Sequence, residues 1–600
     1  MKTTRNEALT FVNAVLGIWL GIHAFRTFVP AAAWNLSDAL PLSAKGAIAI
    51  AVHMAGLAGC VLPFTRNARS AARLAVLVGL VSVLRQVFLG SDVAGSALSL
   101  LGWILWLWWF AAFTRTHLAR HAQLIAPALA AGFALQVAVQ TAFHGLDLPM
   151  ARGPAAVACA TLIGVLFVTS AFTAAADDAD AGTGSIGLIA FGAAFFLEIT
   201  LLANVGRIGF MSDLALTPSA LLIEAGLIGG LLLLALQLNR GLLLIGMMAL
   251  VVIVALAIRL SGNAVLLFAV AQIAMLALLH AAAMRRTGSH RLTFAGGAVL
   301  LFVLVFLFYN HYEWPALWTI AALAVAACAL PHAPWVAVSH RFAAVGFVAA
   351  LLTLGAMAAP TPRTAGARGT KLLTYNIHQG FDAAGAPAMQ RIADQIQAFD
   401  ADVIALQEVG RGWTLLGGSD LIAYLKYRFP DYRMSYVPLN GQLLGVALLT
   451  RLPARFGPGV VFRSAPGVFR YGYAQADIRL GARNVHFVAV HLTAGLEGNG
   501  GTGRADQMTQ LLTAQQLQAD IAIMGDFNAQ PNDPPVRQIL SSGFRDAAAM
   551  VGLGDIATWP AGQPYERDDY VFLRGSVQPL RGAIVRTTAS DHLPLLMTLK

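Results

Sequence analysis

Six short clusters in the last third of the chain hold the residue types that phosphoester chemistry needs: Thr374-Tyr-Asn376, Leu406-Gln-Glu408, Val490-His491-Leu, Gly525-Asp526-Phe-Asn528, Asp569-Tyr-Val-Phe and Ser590-Asp591-His592. Glu408 and Asn376 offer oxygen donors to a hard divalent ion. Mg²⁺ suits such a site, with Mn²⁺ or Ca²⁺ as alternatives, because it takes few protein ligands and leaves positions for a phosphate oxygen. Such a metal neutralises charge developing on phosphate and can acidify water. A histidine backed by a carboxylate is held in one tautomer and made more basic, as acid–base work near neutral pH requires. Arg470, in Phe469-Arg-Tyr471, has the planar fork of a phosphate clamp, although a solvated loop arginine reads the same way. Taken singly, Asp526 could end a strand, Asn528 could cap a turn and His491 could be a packed core residue. Six clusters in order favour chemistry. Asp568 precedes Asp569, so either carboxylate can be the histidine's partner, and His378 reads as structural or peripheral.

The elements that position these groups are strands. Runs at Lys371–Asn376, Val403–Gln407, Val446–Thr450, Tyr473–Leu480, Asn484–His491, Ile521–Met524, Tyr570–Leu573 and Leu595–Leu599 alternate or are bounded by turn signals, with helical patterns at Ala388–Phe399 and Arg504–Gln518. Residues 371–600 are therefore expected to form one α/β domain whose strand ends deliver the polar groups to one rim.

Everything before it obeys different physics. The 600 residues are 58% hydrophobic and only 12% charged, with a mean hydropathy of +0.67, which an ordinary soluble protein does not reach. Apolar runs of roughly twenty residues, the length of a membrane span, recur through residues 1–359 and then stop. About thirteen spans are expected, centred near residues 17, 55, 80, 104, 133, 165, 194, 226, 249, 272, 301, 322 and 350. A hinge is expected at Arg259-Leu-Ser-Gly-Asn263, and Trp314–Leu330 is short enough to be re-entrant. A Pro-, Gly- and Ala-rich linker at 360–370 separates the two parts.

Charge orients the expected bundle. With Lys2 and Arg5 cytoplasmic, alternate loops carry Arg66, Arg69 and Arg73, then Arg115 and Arg120, Arg240, then Arg285, Arg286 and Arg291, and Arg341. The opposite loops carry scattered Arg26, Lys45, Arg152, Arg207 and Arg259. The positive-inside rule then puts the C-terminal domain on the extracytoplasmic side, periplasmic or luminal. The Ala-, Gly- and Leu-rich sequence suggests a bacterial inner membrane. The first apolar run is too long for a cleavable signal peptide and is expected to stay as an anchor. Cys60, Cys159 and Cys328 all fall in expected spans, which leaves the C-terminal domain without disulfides. Much of the net charge of +10 is these topological arginines, so it is weak evidence for nucleic acid. The Gly495–Gly503 and Gly457–Tyr473 loops also lack the clustered Lys and Arg that a groove tracking DNA would need.

The six ordered clusters resemble the endonuclease/exonuclease/phosphatase superfamily. That resemblance implies a four-layered α/β sandwich of two packed sheets with helices outside and one active site at the strand ends. It implies Glu408 as the principal metal ligand, with Asn376 beside it and Asp591 completing the metal region. His592 corresponds to the base or to the group stabilising pentavalent phosphorus, with Asp569 holding its ring. Asp526 and Asn528 would orient the attacking water and a non-bridging oxygen, and His491 would contact phosphate or assist the leaving group. A many-span bundle followed by such a domain is similar in architecture to the eukaryotic proteins that remodel the lipid of glycosylphosphatidylinositol anchors.

Ionisable residues within spans are functional candidates by default. Glu198 and Glu224 on adjacent expected spans and Arg85 on a third could form a buried cluster receiving a lipid headgroup. Inter-helix hydrogen bonding is the plainer reading of each. His23, His53, His280, Asn204 and Arg207 are further candidates. The expected function is a metal-dependent phosphodiesterase acting on a phospholipid or glycolipid headgroup. The alternatives are a membrane-tethered extracytoplasmic nuclease, and a transporter or scaffold with a non-catalytic sensor domain.

Overall fold

The computed structural model describes residues 5–32, 41–90, 92–118, 120–174, 184–236, 238–257, 265–311, 314, 316–329, 335–356, 370–441, 443–463, 469–494 and 500–600. Lys2, the expected hinge at 259–263, nearly all of the expected linker and residues 495–499 lie outside them. The chain forms two compact units, Met1–Ala358 with Gly412–Asp420, and Ala359–Arg411 with Leu421–Lys600.

The first unit is helical: α1 (Arg5–Pro30), α2 (Leu42–Leu57), α3 (Ala68–Val87), α4 (Asp92–Phe113), α5 (Ile125–Ala142), α6 (Pro154–Ala174), α7 (Gly187–Leu197), α8 (Val205–Met211), α9 (Leu216–Leu234), α10 (Arg240–Ala257), α11 (Val265–Ala283), α12 (His290–Asn310), α13 (Ala316–Cys328) and α14 (Ala343–Gly355), with a two-residue ribbon of β1 (Gly184–Ser185) and β2 (Arg286–Thr287). Among the described residues nine helices are long and apolar enough to cross a membrane. A tenth arises if Gly187–Leu202 and Val205–Met211, bent by 52°, count as one, and Gly241–Leu256, Ala316–Cys328 and His340–Gly355 are shorter apolar helices. α1 is buried over most of its length, with consecutive residues from Asn13 to His23 enclosed, as a central helix must be.

Arg26, expected in a loop, lies inside α1 and is fully buried. Its guanidinium is 3.2 Å from the Asp147 carboxylate. Gln136 donates to Asp147 Oδ1 at 2.5 Å, and its Oε1 lies 2.7 Å from His23 Nε2. Gln140 donates to the carbonyl of Gly418 at 2.9 Å, and Asn204 donates to the carbonyl of Gly412 at 2.6 Å. Two backbone carbonyls of the Gly412–Asp420 segment are thus satisfied by amide side chains of the helical unit, as burial requires.

The second unit holds two sheets. β3 (Thr370–Asn376), β4 (Val403–Gly410), β5 (Arg433–Asn440), β6 (Leu444–Thr450), β14 (Pro579–Ile584) and β15 (Leu595–Leu599) form a sheet ordered β14-β15-β3-β4-β6-β5. β7 (Ala454–Phe456), β8 (Val460–Val461), β9 (Gly472–Leu480), β10 (Arg483–His491), β11 (Ile521–Asp526), β12 (Arg545–Asp546) and β13 (Asp569–Arg574) form the other, ordered β12-β13-β11-β10-β9-β7 with β8 on β9. The helices are α15 (Met389–Phe399), α16 (Leu421–Arg428), α17 (Gly500–Ala514), α18 (Pro534–Ser541) and α19 (Ala547–Met550).

Strand alternation builds the layers. Ala522 and Met524 of β11, Phe487 and Ala489 of β10, and Val571 and Leu573 of β13 pack against Leu372, Val403, Ala405 and Leu448 of the other sheet. Their neighbours Ile521, Ile523, Val488, Val490, Tyr570 and Phe572 face outward, onto Met508 and Leu511 of α17 and Val536 and Ile539 of α18. The strands that the sequence patterns do not reveal are mostly peripheral. β5 and β14 are sheet edges and contain Pro438 and Pro579, which an edge tolerates because no further strand needs the missing N–H.

Candidate active site

The inward parity of the core continues one step beyond it and turns polar. His491, Asp526 and Asp569 lie on one rung of the second sheet, His491 pairing with Asp526 and Asp526 with Asp569. His491 and Asp526 follow inward-facing apolar residues on their own strands, and Asp569 precedes Val571 and Leu573 on its own. Gly525 is required one residue earlier, because a Cβ there would lie 1.9 Å from the Val490 carbonyl oxygen. From the first sheet, Asn376 ends β3 with the parity of Leu372 and Thr374. Its Nδ2 donates to Asp526 Oδ2 at 2.9 Å and to Glu408 Oε1 at 3.2 Å, which ties the ends of the two sheets together.

Glu408 reaches this point through a defect in the sheet. Alternation from Val403 and Ala405 would put Gln407, not Glu408, on the inner face. The pairing of β4 with β6 slips between Leu406 and Val409, and Glu408 adopts φ +58°. A left-handed glutamate costs on the order of 1 kcal/mol, and strain of this kind collects at functional sites. Gln379, also left-handed at φ +58°, donates to Glu408 Oε2 at 3.0 Å. Both carboxylate oxygens therefore receive an amide. No motif marks Gln379; its only signal in the sequence is its place three residues after Asn376, in the turn that leaves β3.

The histidines face Asp526 from two sides. His491 Nε2 is 3.5 Å from Asp526 Oδ2, and His592 Nε2 is 3.6 Å from the same oxygen. His592 Nδ1 lies 2.9 Å from Asp569 Oδ2, so of the two adjacent aspartates Asp569 is the partner. Asp569 is fully buried, and among the described residues its Oδ1 has no hydrogen-bond partner. Asn528, at φ +47°, donates its N–H to Asp526 Oδ1 at 2.8 Å and its Nδ2 to the Leu492 carbonyl at 2.9 Å. Asp591 accepts from Trp559 Nε1 at 3.3 Å and lies 3.8 Å from His378 Nδ1.

Burial and charge divide the protonation states. Burial lowers His491 to about 4, leaving it neutral at pH 7. Burial pushes Asp526 up to about 6 against the opposing pull of His592. Asp568 is pushed up to about 8, first by burial and then by the charges of Asp526 and Asp569. For His592 burial alone would lower the value, but Asp569, Asp526 and Asp591 outweigh it and hold the imidazolium well above its ordinary range. Burial would raise Asp591, and the nearby His378 and His592 bring it below the usual carboxylate value instead.

Among the described residues no three His, Cys, Asp or Glu side chains gather as a metal site. The donor set still fits a hard cation that binds few protein ligands, with Glu408 as the carboxylate and, close by, a buried Gln379 Oε1 that has no hydrogen-bond partner among the described residues. Asn376 turns its Nδ2 to the carboxylates, and its Oδ1 accepts from the His378 N–H at 3.0 Å. In this arrangement it braces Glu408 and Asp526.

The remaining expected residues lie elsewhere. Arg470 is exposed, with its backbone bonded both ways to Asn440. Glu198, Glu224 and Arg85 do not converge on one another. Glu198 accepts from Gln272 at 2.8 Å, Glu224 from Thr353 at 2.6 Å, and Arg85 donates to the Pro149 carbonyl. Each bonds to a different helix or loop, the plainer of the two readings, because a buried polar group in an apolar bundle takes the first polar partner that packing brings near.

Residues 373–592 match the model of the Endonuclease/Exonuclease/phosphatase family. The second unit is a domain of that family, whose members are hydrolases of phosphoester bonds. Among similar solved structures is an endonuclease/exonuclease/phosphatase from Beutenbergia cavernae, 21% identical over 39% of this chain and 72% of that one, with a TM-score of 0.35. Another is an endonuclease/exonuclease/phosphatase from Bacteroides vulgatus, 16% identical over 39% and 99%, with a TM-score of 0.32. A third is a mannosyl-6-phosphatase from Bacteroides thetaiotaomicron, 17% identical over 38% and 99%, with a TM-score of 0.32. No curated protein matches the chain.

Proposed function

We propose that the protein is a membrane-embedded, divalent-metal-dependent phosphodiesterase acting on the headgroup of a phospholipid or glycolipid at the extracytoplasmic face. The observation that carries the reaction is the rung of His491, Asp526 and Asp569, closed by His592 and braced across the sheets by Asn376. The lipid is supported by the nine long apolar helices among the described residues and by the lack of clustered Lys and Arg in the sequences Gly457–Tyr473 and Gly495–Gly503.

Glu408 is the residue that would hold the metal, with Gln379 and Asp591 nearby, and Mg²⁺ bound there would neutralise charge on the phosphate. Asp526, ionised at neutral pH, accepts a proton from the attacking water while the water oxygen bonds to phosphorus. The ester oxygen departs with the bonding pair. His592, held as an imidazolium by its carboxylates, donates to the phosphoryl oxygens as their charge grows, the kind of preorganised donor that contributes most to such reactions. Neutral His491 offers an N–H to another phosphate oxygen, and Asn528 keeps Asp526 oriented.

The test is hydrolysis by the purified full chain with Mg²⁺, comparing liposomes of a broad phospholipid and glycolipid panel with plasmid DNA. Release of a phosphorylated headgroup, lost in Glu408→Ala and His592→Ala, is expected. Rapid plasmid nicking with no lipid turnover would overturn the reading in favour of a tethered nuclease.

A further inference from the structure

The segment Thr558-Trp-Pro-Ala-Gly-Gln-Pro-Tyr565 runs between α19 and β13 and is rich in turn formers. It is nevertheless fixed to the site at several points. Buried Thr558 accepts on Oγ1 from the N–H groups of Asp568 and Asp569 at 3.1 and 3.2 Å, and its carbonyl accepts from the Leu593 N–H at 2.8 Å. Ala561 donates its N–H to the Asp591 carbonyl at 2.6 Å. Trp559 and Glu566 exchange backbone hydrogen bonds of 2.9 and 2.8 Å, and the Tyr565 N–H donates to the Trp559 carbonyl at 3.0 Å, which closes the neck of the loop. The side chains of Trp559 and Tyr565 are thus mounted on the backbone that carries Asp569 and His592.

Their rings form a corner. The centroids are 5.8 Å apart and the planes meet at 66°. Tyr565 is 68% exposed, Trp559 is half-buried, and the Trp559 centroid lies 6.5 Å from that of His592. The indole Nε1 donates to Asp591 Oδ2, and a carboxylate acceptor there polarises the ring toward greater electron density. Three kinds of group on a phosphodiester could meet this corner. A nucleobase stacks on a flat face, and two rings inclined at 66° cannot both stack on one plane. A sugar needs partners for its hydroxyls, and the residues between the two aromatics, Pro560, Ala561, Gly562, Gln563 and Pro564, offer one polar side chain. A quaternary ammonium is round, asks for no hydrogen bond and binds aromatic faces within about 6 Å of their centroids.

We propose that Trp559 and Tyr565 set the specificity of the site by taking the quaternary ammonium of the substrate, which makes that substrate a phosphodiester with a choline-type headgroup. The inference rests on the phosphodiesterase reading and names its substrate class. With the phosphate at His592, a cation two carbons from the ester oxygen comes within reach of the neighbouring indole. A primary ammonium is held less well, because it keeps its water more strongly than a methylated cation does.

The experiment compares three p-nitrophenyl phosphodiesters as substrates of the purified full chain in a maltoside detergent with Mg²⁺. They are the choline ester, the ethanolamine ester and the 3,3-dimethylbutyl ester, which has the shape of choline without its charge. The choline ester should have the highest kcat/KM, roughly two- to thirtyfold above the neutral ester, the weight of a cation–π contact between exposed and desolvated settings. Tyr565→Ala, at an exposed position that folding tolerates, should erase most of that ratio, and Tyr565→Phe should keep it. Trp559→Leu should erase it as well, and Trp559→Phe should retain part of it. Isothermal titration of phosphocholine into the same variants should rank their affinities in the same order. Equal kcat/KM for the choline and neutral esters, or a ratio untouched by both Tyr565→Ala and Trp559→Leu, would overturn the proposal. Turnover of all three esters without a choline preference would sink the corner alone. Phosphocholine binding that Tyr565→Ala weakens, in a chain that hydrolyses none of the esters, would sink the phosphodiesterase reading alone.

Discussion

Asp569→Asn tests the division of labour in the site. The substitution keeps the shape of a fully buried side chain that contacts His592 Nδ1 at 2.9 Å and removes its charge. Two consequences follow from the geometry. One of the three carboxylates that hold His592 above its ordinary pKa disappears, so the imidazolium loses its proton at lower pH. An asparagine can also present its amide N–H to Nδ1, which excludes a proton there and further disfavours the imidazolium, leaving a neutral Nε2–H donor where a charged one stood. Loss of one preorganised donor to a developing oxyanion costs roughly 10²–10³ in kcat, or about 2.7–4 kcal/mol. Hydrolysis of bis(p-nitrophenyl) phosphate with Mg²⁺ across pH 5–10 measures both effects. Wild-type kcat/KM should rise as Asp526 ionises near 6 and fall where His592 deprotonates. In the variant the falling limb should move to lower pH and the plateau should drop. A variant within about threefold of wild type at pH 7, less than 1 kcal/mol in the barrier, with an unmoved falling limb would refute the role given to the pair.

Other substitutions probe neighbouring links. Gln379→Leu removes the donor to Glu408 Oε2 and should raise the Mg²⁺ concentration for half-maximal activity roughly 10–100-fold, the usual effect of losing a residue that orients a metal ligand, with kcat restored at saturating Mg²⁺; an unchanged Mg²⁺ titration contradicts the bracing role. Gly525→Ala drives a Cβ into the Val490 carbonyl and should cost ~1–3 kcal/mol, a fall of several degrees in the melting temperature of a domain this size. Asp568 has a folded pKa raised to about 8 from an unfolded value near 4, so its contribution to stability is present below about pH 4 and lost as pH rises towards 8. Asp568→Asn should therefore melt higher than wild type above pH 8 in EDTA, with the gain vanishing by pH 4; a pH-independent difference would contradict it. Arg26→Met strands the buried Asp147 carboxylate and should destabilise the helical unit by ~3–5 kcal/mol, while Arg26→Met with Asp147→Leu recovers most of it; equal melting of the single and double variants counts against the ion pair.

What the sequence made legible was set by periodicity. Asn376, His491 and Asp526 each extend an apolar alternation by one inward step, so their convergence follows from strand ends alone. The same parity separates Asp569 from Asp568: Val571 and Leu573 face the core, hence 569 does and 568 does not. Glu408 could be recognised by its motif but not by parity, because the β4 bulge and the left-handed backbone that turn it inward have no local sequence signal. Gln379 was hidden for the same reason. In the helical unit apolar runs locate the helices, but partners of buried charges depend on packing, and Arg26 with Asp147 and the separate partners of Glu198, Glu224 and Arg85 were not readable from spacing.

The central claim, hydrolysis of a membrane lipid phosphodiester at this site, is tested most directly by the lipidome of cells lacking the protein, complemented with wild type or with His592→Ala at equal expression. A single class of phosphodiester lipid should accumulate in the deletion and in the His592→Ala cells and return to its normal level with wild type. Indistinguishable lipidomes in all three would contradict the account.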